Sequence, residues 1–598
     1  MVYKFEAVPW GLKTVWYFQE LKDSVPQILT IVNKKKFDAI IMPIFPANIE
    51  REGNINDFIK HSYLKSELEV KSDDIQKLHF LISNLSLSDE NKEVRKRNRE
   101  ILKQEIQFAA YLGVPSIILS SNSDPIKLAK FIRKMSIKYF IDLNTFVLDV
   151  DITKDWIKYN QIRQELQFNI PILLRLKKEM TTKNEQRKWL SENIRFVHLN
   201  QDLFSMNDQG APKLEDAQNQ FLTSYFQFEN YISIAAKSPQ IDLADHRQYL
   251  IHLFKNQQPL SEQANLASEF FDELQIPLQP YKDNLNSGTY EVFEQDKIKY
   301  DLYEDACRRY LKNVKKAEIN ILMAGAGRGG ILERVIFSAQ GAKCKTKIVA
   351  LEKNPYAYMT LVFQKKRQKQ WKDVEIVLGD LKSWQTELKF DLIVSELLGS
   401  FGDNELSPEC LMWAQRFLQP DAVSIPCDSV SYCVPVSCPQ LHAKVKKSYG
   451  YDSSYVVHFQ KYYTIHDIQK CMQFKHPDFN NENQLAQEQN LVFECKQDLL
   501  IHGMAGYFTS KLYEDIELST HPNNSTPDMY SWFPIYFPFE KPVNIAKKQK
   551  LKFTIKRVNN EEGVWYEWFN SVLSEDDQLL DGSRIHNENG KKQIIEIK

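Results

Sequence analysis

Short apolar runs recur through the first 200 residues, and this feature most restricts the folds open to the chain. They lie at residues 37–45, 116–120, 146–150, 170–175 and 195–199. Each is brief, rich in β-branched or aromatic residues and nearly continuous in apolar character, as strands buried on both faces are. Amphipathic stretches such as 91–112 lie between them. A strand-then-helix unit repeated over about 250 residues predicts a parallel α/β domain, a TIM-type barrel at residues 1–258.

The rest of the 598-residue chain shows two further changes of pattern. Residues 257–288 contain loop-forming Pro, Asn and Gly, and we assign a linker to 259–288. Strand candidates at 319–324, 346–352, 374–378 and 390–395 alternate with helical stretches, which predicts a doubly wound, Rossmann-like domain at 289–425. After residue 425, strands such as 551–556 alternate apolar and polar residues as antiparallel strands with one wet face do, so we predict a β-barrel at 426–598.

Composition excludes several classes of function. The chain has 77 Lys and Arg and 78 Asp and Glu, so it has almost no net charge that would attract nucleic acid or an acidic membrane surface. We therefore expect no direct binding to either. The eight cysteines form no C-x-x-C pair and no zinc-site spacing, so we expect no metal. The first residues lack a signal-peptide pattern and no apolar run reaches membrane-spanning length. We therefore expect a reducing compartment, the cytoplasm or the nucleus.

A glycine-rich turn follows the first strand of the middle domain. Gly325, Gly327 and the glycines at 329 and 330 permit a tight turn and close approach of a ligand to backbone N–H groups. The turn also fits G-x-G-x-x-G, so a nicotinamide enzyme is a rival interpretation. Glu352 ends the second strand and suits a ribose hydroxyl, and Asp380 suits an adenine amino group. Because carboxylates repel a pyrophosphate but tolerate a sulfonium, these residues favour S-adenosylmethionine.

Two glutamates bound the short loop after the fourth strand. A guanidinium matches carboxylates in bidentate pairs, so Glu396 and Glu405 could hold one from two sides. Alternatively, Glu405 only helps to begin the helix that follows at Ser407 and Pro408.

The loop 395–410 resembles the double-Glu loop of protein arginine methyltransferases, and in particular of the type II branch, which makes symmetric dimethylarginine. Further segments carry the resemblance, namely Thr-Tyr-Glu-Val-Phe-Glu at 289–294, Ile-Lys-Tyr at 298–300, the glycine turn, Glu-Lys-Asn-Pro at 352–355, and residues 502–508, 531–534 and 564–568. The resemblance extends from residue 276 to the C-terminus. Over the first 250 residues it rests on architecture alone.

The resemblance implies a protein arginine methyltransferase with a TIM barrel, a Rossmann domain and a β-barrel. Tyr290, Lys299, Tyr300, Glu352, Asp380 and Leu381 would then line the S-adenosylmethionine pocket. Glu396 and Glu405 would be catalytic, and Phe293 and Trp532 would enclose the substrate arginine. Leu381 stands where the family usually has Met, and Tyr530 where Phe is usual. Both keep an apolar or aromatic surface, so we expect activity to be retained.

The resemblance also implies partners and a product. Substrates would be arginine-containing proteins such as histone tails and Arg/Gly-rich segments, the chain would form homo-oligomers, and a WD40-propeller protein could bind the N-terminal barrel. Phe293 corresponds to the position that is Phe in enzymes making symmetric dimethylarginine and Met in those making the asymmetric form. Two alternatives stay open, a catalytically silent scaffold of the same fold and a small-molecule methyltransferase.

Overall fold

The computed structural model describes residues 11–167, 170–227, 231–236, 241–257, 261–342, 345–464, 467–480 and 482–597. The chain divides into two compact units, residues 1–259 with 461–463, and residues 260–460 with 464–598. Within the described ranges, no helix is both long and apolar enough to cross a membrane.

The first unit contains a closed barrel of eight parallel strands, which confirms the predicted TIM-type fold. Its strands are β1 (Lys13–Tyr17), β2 (Ala39–Pro43), β3 (Leu78–Leu81), β4 (Ser116–Ser120), β5 (Phe146–Asp151), β6 (Ile172–Arg175), β7 (Ile194–Asn200) and β10 (Tyr231–Ala235); β8 (Ser205–Met206) and β9 (Pro212–Lys213) form a small separate pair. The helices are α1 (Val25–Lys34), α2 (Ile55–His61), α3 (Ser72–Ile75), α4 (Lys92–Leu112), α5 (Pro125–Tyr139), α6 (Trp156–Leu166), α7 (Lys183–Leu190), α8 (Asp216–Tyr225) and α9 (Ala244–Lys255).

The five apolar runs of the sequence correspond to β2, β4, β5, β6 and β7, whereas β1, β3 and β10 were not predicted. Each missed strand carries a polar residue that the fold nevertheless buries, namely Thr14, His79 and Ser233. These residues interrupt the apolar pattern on which the strand prediction depends. The barrel interior is filled mainly by aliphatic side chains, among them Val15, Ile41, Ile118, Val147 and Leu173.

The second unit begins with helices over a five-stranded sheet. The helices are α10 (Glu262–Ala267), α11 (Ser287–Glu294), α12 (Lys297–Asn313), α13 (Gly330–Gln340), α14 (Pro355–Arg367) and α15 (Ser407–Ala414). The strands are β11 (Glu318–Ala324), β12 (Lys345–Glu352), β13 (Glu375–Leu378), β14 (Phe390–Ser395) and β15 (Leu418–Ile425). All neighbours are parallel in the order β13-β12-β11-β14-β15, which is the predicted doubly wound arrangement. The order reverses between β11 and β14, where open α/β sheets bind ligands.

The strands after residue 425, where a β-barrel was predicted, form two antiparallel sheets. The strands are β16 (Asp428–Val436), β17 (Tyr455–Val456), β18 (Gln469–Lys475), β19 (Gln487–Glu494), β20 (Leu499–Tyr513), β21 (Ile516–Ser519), β22 (Ile535–Ile545), β23 (Lys550–Asn559), β24 (Gly563–Leu573), β25 (Leu579–Gly582) and β26 (Ile595–Glu596), with one helix, α16 (Pro439–Val445). One sheet contains β16, β17, β18, β20, β21 and β22, and the other β19 and β23–β26. Phe537 joins the two sheets, because its ring lies 5.4 Å from that of Trp568.

Candidate functional site

A cavity of about 710 Å³ opens at the carboxyl ends of β11, β12 and β14 in the second unit. It is lined by all twelve residues that the sequence assigns to a site. They are Tyr290, Phe293, Lys299, Tyr300, Gly325, Gly327, Glu352, Asp380, Leu381, Glu396, Glu405 and Trp532. Parallel strands end at one edge of a sheet, so residues far apart in sequence meet there.

The glycine turn between β11 and α13 forms one wall of this cavity. Gly325 has φ +73°, a left-handed conformation that glycine adopts without strain, and a Cβ there would lie 2.9 Å from Leu397 Cδ2. Helix α13 starts at Gly330, where a Cβ would lie 2.6 Å from Tyr300 Cε1. The turn therefore presents bare backbone to the cavity, with an aromatic ring packed over the helix start.

Two carboxylates follow the strands beside this turn. Glu352 Oε2 accepts a hydrogen bond from the Gly327 N–H at 2.5 Å, and its Oε1 accepts one from the Asn354 N–H at 2.7 Å. Burial raises the pKa of Glu352, although these backbone donors oppose the rise. Asp380 accepts from the Tyr281 hydroxyl at 2.8 Å. Both side chains are held in place and still border the cavity.

A cationic group lies among aromatic rings that line the cavity. The ammonium of Lys299 lies 5.3, 5.2 and 4.9 Å from the ring centres of Phe293, Tyr300 and Trp532. Its Nζ is also 3.5 Å from Glu396 Oε2, and its side chain is only 1% exposed. Aromatic faces and a carboxylate are the surroundings that a positive charge prefers. These contacts stabilise the buried charge of Lys299, and Phe293, Trp532 and Glu396 also line the cavity.

Glu405 is electrostatically coupled to the same group of side chains. Burial, and then the charge of Glu396, raise the pKa of Glu405 well above its usual range, while Lys299 opposes the rise. Two carboxylates near each other in a partly buried cavity repel, and a bound cation would relieve that repulsion. The pair is accordingly suited to a guanidinium.

The loop between Glu396 and Glu405 is held in a compact turn. Gly399 and Gly402 exchange backbone hydrogen bonds of 3.2 and 2.8 Å, and the Phe401 N–H donates to Asn404 Oδ1 at 2.6 Å. A Cβ at Gly399 would lie 2.4 Å from Asn404 Oδ1, so no larger residue fits there. The local sequence therefore folds the loop so that both glutamates line one cavity.

Sequence reasoning missed a buried residue that joins two walls of the cavity. Asp296 is the N-cap of α12, and its Oδ1 accepts from the Lys299 N–H at 3.3 Å. Its Oδ2 accepts from the Ser531 N–H at 2.8 Å and the Ser531 hydroxyl at 2.6 Å. The next residue, Trp532, donates from Nε1 to the Leu398 carbonyl at 3.0 Å. An Asp at a helix N-cap was the available sequence signal, but its second contact is visible only in the fold.

The residues that line the cavity favour S-adenosylmethionine over a nicotinamide dinucleotide. A dinucleotide places its pyrophosphate on the N–H groups at the start of the helix. Here Tyr300 packs over that start, and the Glu352 carboxylate already accepts the Gly327 N–H. An anion would meet both obstacles, whereas a cationic sulfonium would not. Among the described residues, no group of three or more His, Cys, Asp or Glu side chains is placed to hold a metal ion.

Comparisons with known proteins match nearly the whole chain. Three family models match, described as PRMT5 TIM barrel domain at residues 36–256, PRMT5 arginine-N-methyltransferase at 261–425 and PRMT5 oligomerisation domain at 428–595. Protein arginine N-methyltransferase 5 of Xenopus laevis is 32% identical over 96% of each chain, and its Oryza sativa subsp. indica namesake is 29% identical over 96% of each. Protein arginine N-methyltransferase skb1 of Schizosaccharomyces pombe is 31% identical, over 85% of this chain and 87% of its own.

Proposed function

Because the chain belongs to the protein arginine methyltransferase 5 family, we propose that Glu396 and Glu405 hold the guanidinium of a protein arginine while a methyl group is transferred to it. The methyl donor of this enzyme is S-adenosylmethionine, and the family's activity is type II, the formation of symmetric dimethylarginine. The observation that carries the assignment of residues is the cavity that unites both glutamates with the glycine turn and Glu352.

The glycine turn and the residues around it suit S-adenosylmethionine, the methyl donor. Gly325 and Gly327 provide the bare backbone, Glu352 the acceptors for ribose hydroxyls, and Asp380 an acceptor for the adenine amino group. Tyr290, Tyr300 and Leu381 complete the apolar lining. When bound there, S-adenosylmethionine supplies a methyl group activated by its sulfonium.

The two glutamates make the guanidinium reactive by position and charge. A free guanidinium is a poor nucleophile because its positive charge is delocalised. The carboxylates accept hydrogen bonds from the two guanidinium nitrogens that do not react, and so concentrate the positive charge on those two nitrogens. Electron density then remains on the third nitrogen, which attacks the methyl group. Alignment of that nitrogen supplies most of the remaining rate enhancement. Glu405, whose pKa is raised, is suited to accept the proton that the methylated nitrogen releases.

Aromatic side chains limit the space around the methylated nitrogen. Phe293 and Trp532 line the same cavity as the two glutamates, so their rings would screen a bound guanidinium from water. A rigid Phe at 293 leaves less room beside a methylated nitrogen than a flexible Met. The guanidinium then rebinds more easily with its unmodified nitrogen towards the donor, which gives the symmetric product.

The chain acts on protein substrates and carries the family's oligomerisation domain. We propose histone tails and Arg/Gly-rich segments as substrates, a homo-oligomer as the assembly, and a WD40-propeller protein as a partner of the N-terminal barrel. An apolar groove on that barrel, between Phe58 of α2 and Phe108 of α4, supports the last point, since Ile55 and Ile59 beside it are exposed. Free thiols such as Cys307 and Cys438 support a reducing compartment, the cytoplasm and nucleus.

One incubation tests the proposed function. The protein is mixed with labelled S-adenosylmethionine and an Arg/Gly-rich peptide, and the peptide is hydrolysed to identify its methylarginines. We expect monomethylarginine and then symmetric dimethylarginine. Calorimetry with S-adenosylmethionine and with NADH is the control for the cofactor. Tight binding of NADH without binding of S-adenosylmethionine would contradict the cofactor assignment, and asymmetric dimethylarginine would contradict the product.

A further inference from the structure

We propose that Arg557, on β23 of the C-terminal sheets, is the positioning residue that fixes Glu405 in the cavity. The inference rests on the proposed function of Glu405. It assigns to the β-rich part of the chain a direct role in shaping the catalytic loop.

Arg557 binds the double-Glu loop through two carboxylates that flank Glu405. Its Nε donates to Asp403 Oδ2 at 2.5 Å, while its Nη2 donates to Glu409 Oε2 at 3.0 Å and its Nη1 lies 2.9 Å from Glu409 Oε1. The guanidinium is therefore bidentate towards Glu409 and singly bonded to Asp403. All three side chains are at most 2% exposed. Planar bidentate pairing fixes orientation as well as distance.

Neutral donors complete this buried cluster. One guanidinium faces two carboxylates, which leaves a negative charge that needs further hydrogen bonds. The Tyr566 hydroxyl donates to Asp403 Oδ2 at 2.6 Å, and the Asn559 amide donates to Glu409 Oε1 at 2.6 Å. Arg557 also donates to the Leu485 carbonyl at 2.6 Å. Both neutral donors, Tyr566 and Asn559, lie on strands of the C-terminal sheets, so the loop is anchored to that part of the fold.

The anchored positions determine the path of the backbone at Glu405. Asp403 precedes Glu405 by two residues, and Glu409 follows it by four in the first turn of α15. Between them, Leu406 has φ +70°, a left-handed conformation that is unfavourable for a leucine and that surrounding contacts must maintain. With both flanks held, the strained turn directs Glu405 into the cavity. A loop released from Arg557 could relax at Leu406 and move the carboxylate.

Small displacements of a catalytic carboxylate have large kinetic effects. A misplacement of about 1 Å can lower the rate about a hundredfold. The residues proposed to bind the methyl donor, Glu352 and the glycine turn, line the cavity, whereas Arg557 lies outside that lining and donates its hydrogen bonds to other residues. Weakening the Arg557 cluster should therefore lower turnover while leaving cofactor binding intact.

The test uses two graded variants and a matched control in the full-length protein. Tyr566→Phe removes one hydroxyl, and Arg557→Lys keeps the charge but loses the planar fork. The control is Thr554→Val, on the same strand, whose buried hydroxyl donates to Asn490 at 2.8 Å and does not touch the loop. We expect kcat on an Arg/Gly-rich peptide to fall about tenfold in Tyr566→Phe and about a hundredfold in Arg557→Lys. The Kd for S-adenosylmethionine should stay within about twofold in all three, and kcat should be unchanged in Thr554→Val.

A double-mutant cycle separates positioning from general destabilisation. If Tyr566 acts through Glu405, then adding Tyr566→Phe to Glu405→Gln should cause no further loss in single-turnover methyl transfer. Additive losses, or an equal loss in Thr554→Val, would overturn the positioning role. So would normal kcat in both Tyr566→Phe and Arg557→Lys when Glu405→Gln is inactive. Near-normal turnover of Glu405→Gln itself would instead contradict the proposed function. Tyr566→Phe keeps the test valid if Arg557→Lys does not fold.

Discussion

Replacing Glu405 with glutamine tests the guanidinium site most directly, because it changes one charge with almost no change of shape. The amide can still accept a hydrogen bond from the substrate, but it cannot balance the guanidinium charge. We therefore expect kcat/KM for an arginine peptide to fall strongly while S-adenosylmethionine binds as before. The hydrogen bond between Gly327 and Glu352, the residues proposed to bind the cofactor, does not involve Glu405.

The expected loss follows from the electrostatics of the cavity. Two unit charges about 4 Å apart attract by ~4 kcal/mol at an effective dielectric constant of about 20. Each 1.36 kcal/mol is roughly a factor of ten in rate. Glu405 is partly buried, and its pKa is raised mainly by burial, so screening by water is weak and the full effect should be felt. A loss of about a hundredfold to a thousandfold in kcat/KM is expected.

The same substitution should stabilise the protein at neutral pH. The folded pKa of Glu405 is raised, so the native state keeps this proton to a higher pH than the unfolded chain does. Stability therefore falls as the pH rises from the ordinary glutamate pKa through the folded pKa. Glutamine has no proton to lose, so Glu405→Gln should have a higher Tm than the wild type at neutral pH. The difference should vanish in acid, below the ordinary glutamate pKa.

The assay combines initial rates of labelled methyl transfer, calorimetric binding of S-adenosylmethionine and thermal unfolding at several pH values. Glu517→Gln, which changes an exposed carboxylate on β21 outside the cavity lining, serves as the control. Near-normal kcat in Glu405→Gln would refute the catalytic assignment. Loss of cofactor binding, or a Tm that drops at neutral pH, would show instead that Glu405 is structural.

Four further predictions concern neighbouring groups. The kcat/KM for an arginine peptide should fall with decreasing pH as Glu405 takes up a proton, and this fall should occur at a pH above the ordinary carboxyl range. The corresponding fall in kcat should occur at a lower pH, because a bound guanidinium stabilises the carboxylate form of Glu405. Glu396→Gln should lower both kcat and Tm, since the buried ammonium of Lys299 loses the carboxylate 3.5 Å away; an unchanged Tm would argue against that ion pair. Glu352→Ala should raise the Kd for S-adenosylmethionine at least about tenfold in calorimetry, because the acceptors for the ribose hydroxyls are lost. Phe293→Met should add asymmetric dimethylarginine to the products seen by mass spectrometry, whereas a change in stability alone would mean that Phe293 only packs.

Local sequence determined much of this protein. The glycine turn, the acidic residues at strand ends and the double-Glu loop are each contained in a few consecutive residues, and local geometry fixes what such segments can do. Six of the twelve site residues come from these segments and line one cavity, because a parallel sheet brings its carboxyl ends to a single edge. The other six, among them Lys299 and Trp532, were assigned through the family resemblance. Five of the eight barrel strands were likewise evident from continuous apolar runs.

Only the tertiary structure decided which distant residues support that cavity. Arg557 contacts Asp403 across 154 positions of sequence, and Asp296 contacts Ser531 across 235. A charged residue in a strand looks like any solvated one until packing buries it beside its partner. The raised pKa of Glu405 has the same origin, since burial and the approach of Glu396 cause it. Burial and long-range pairing depend on how sheets and helices pack together, and no periodicity along the chain encodes that.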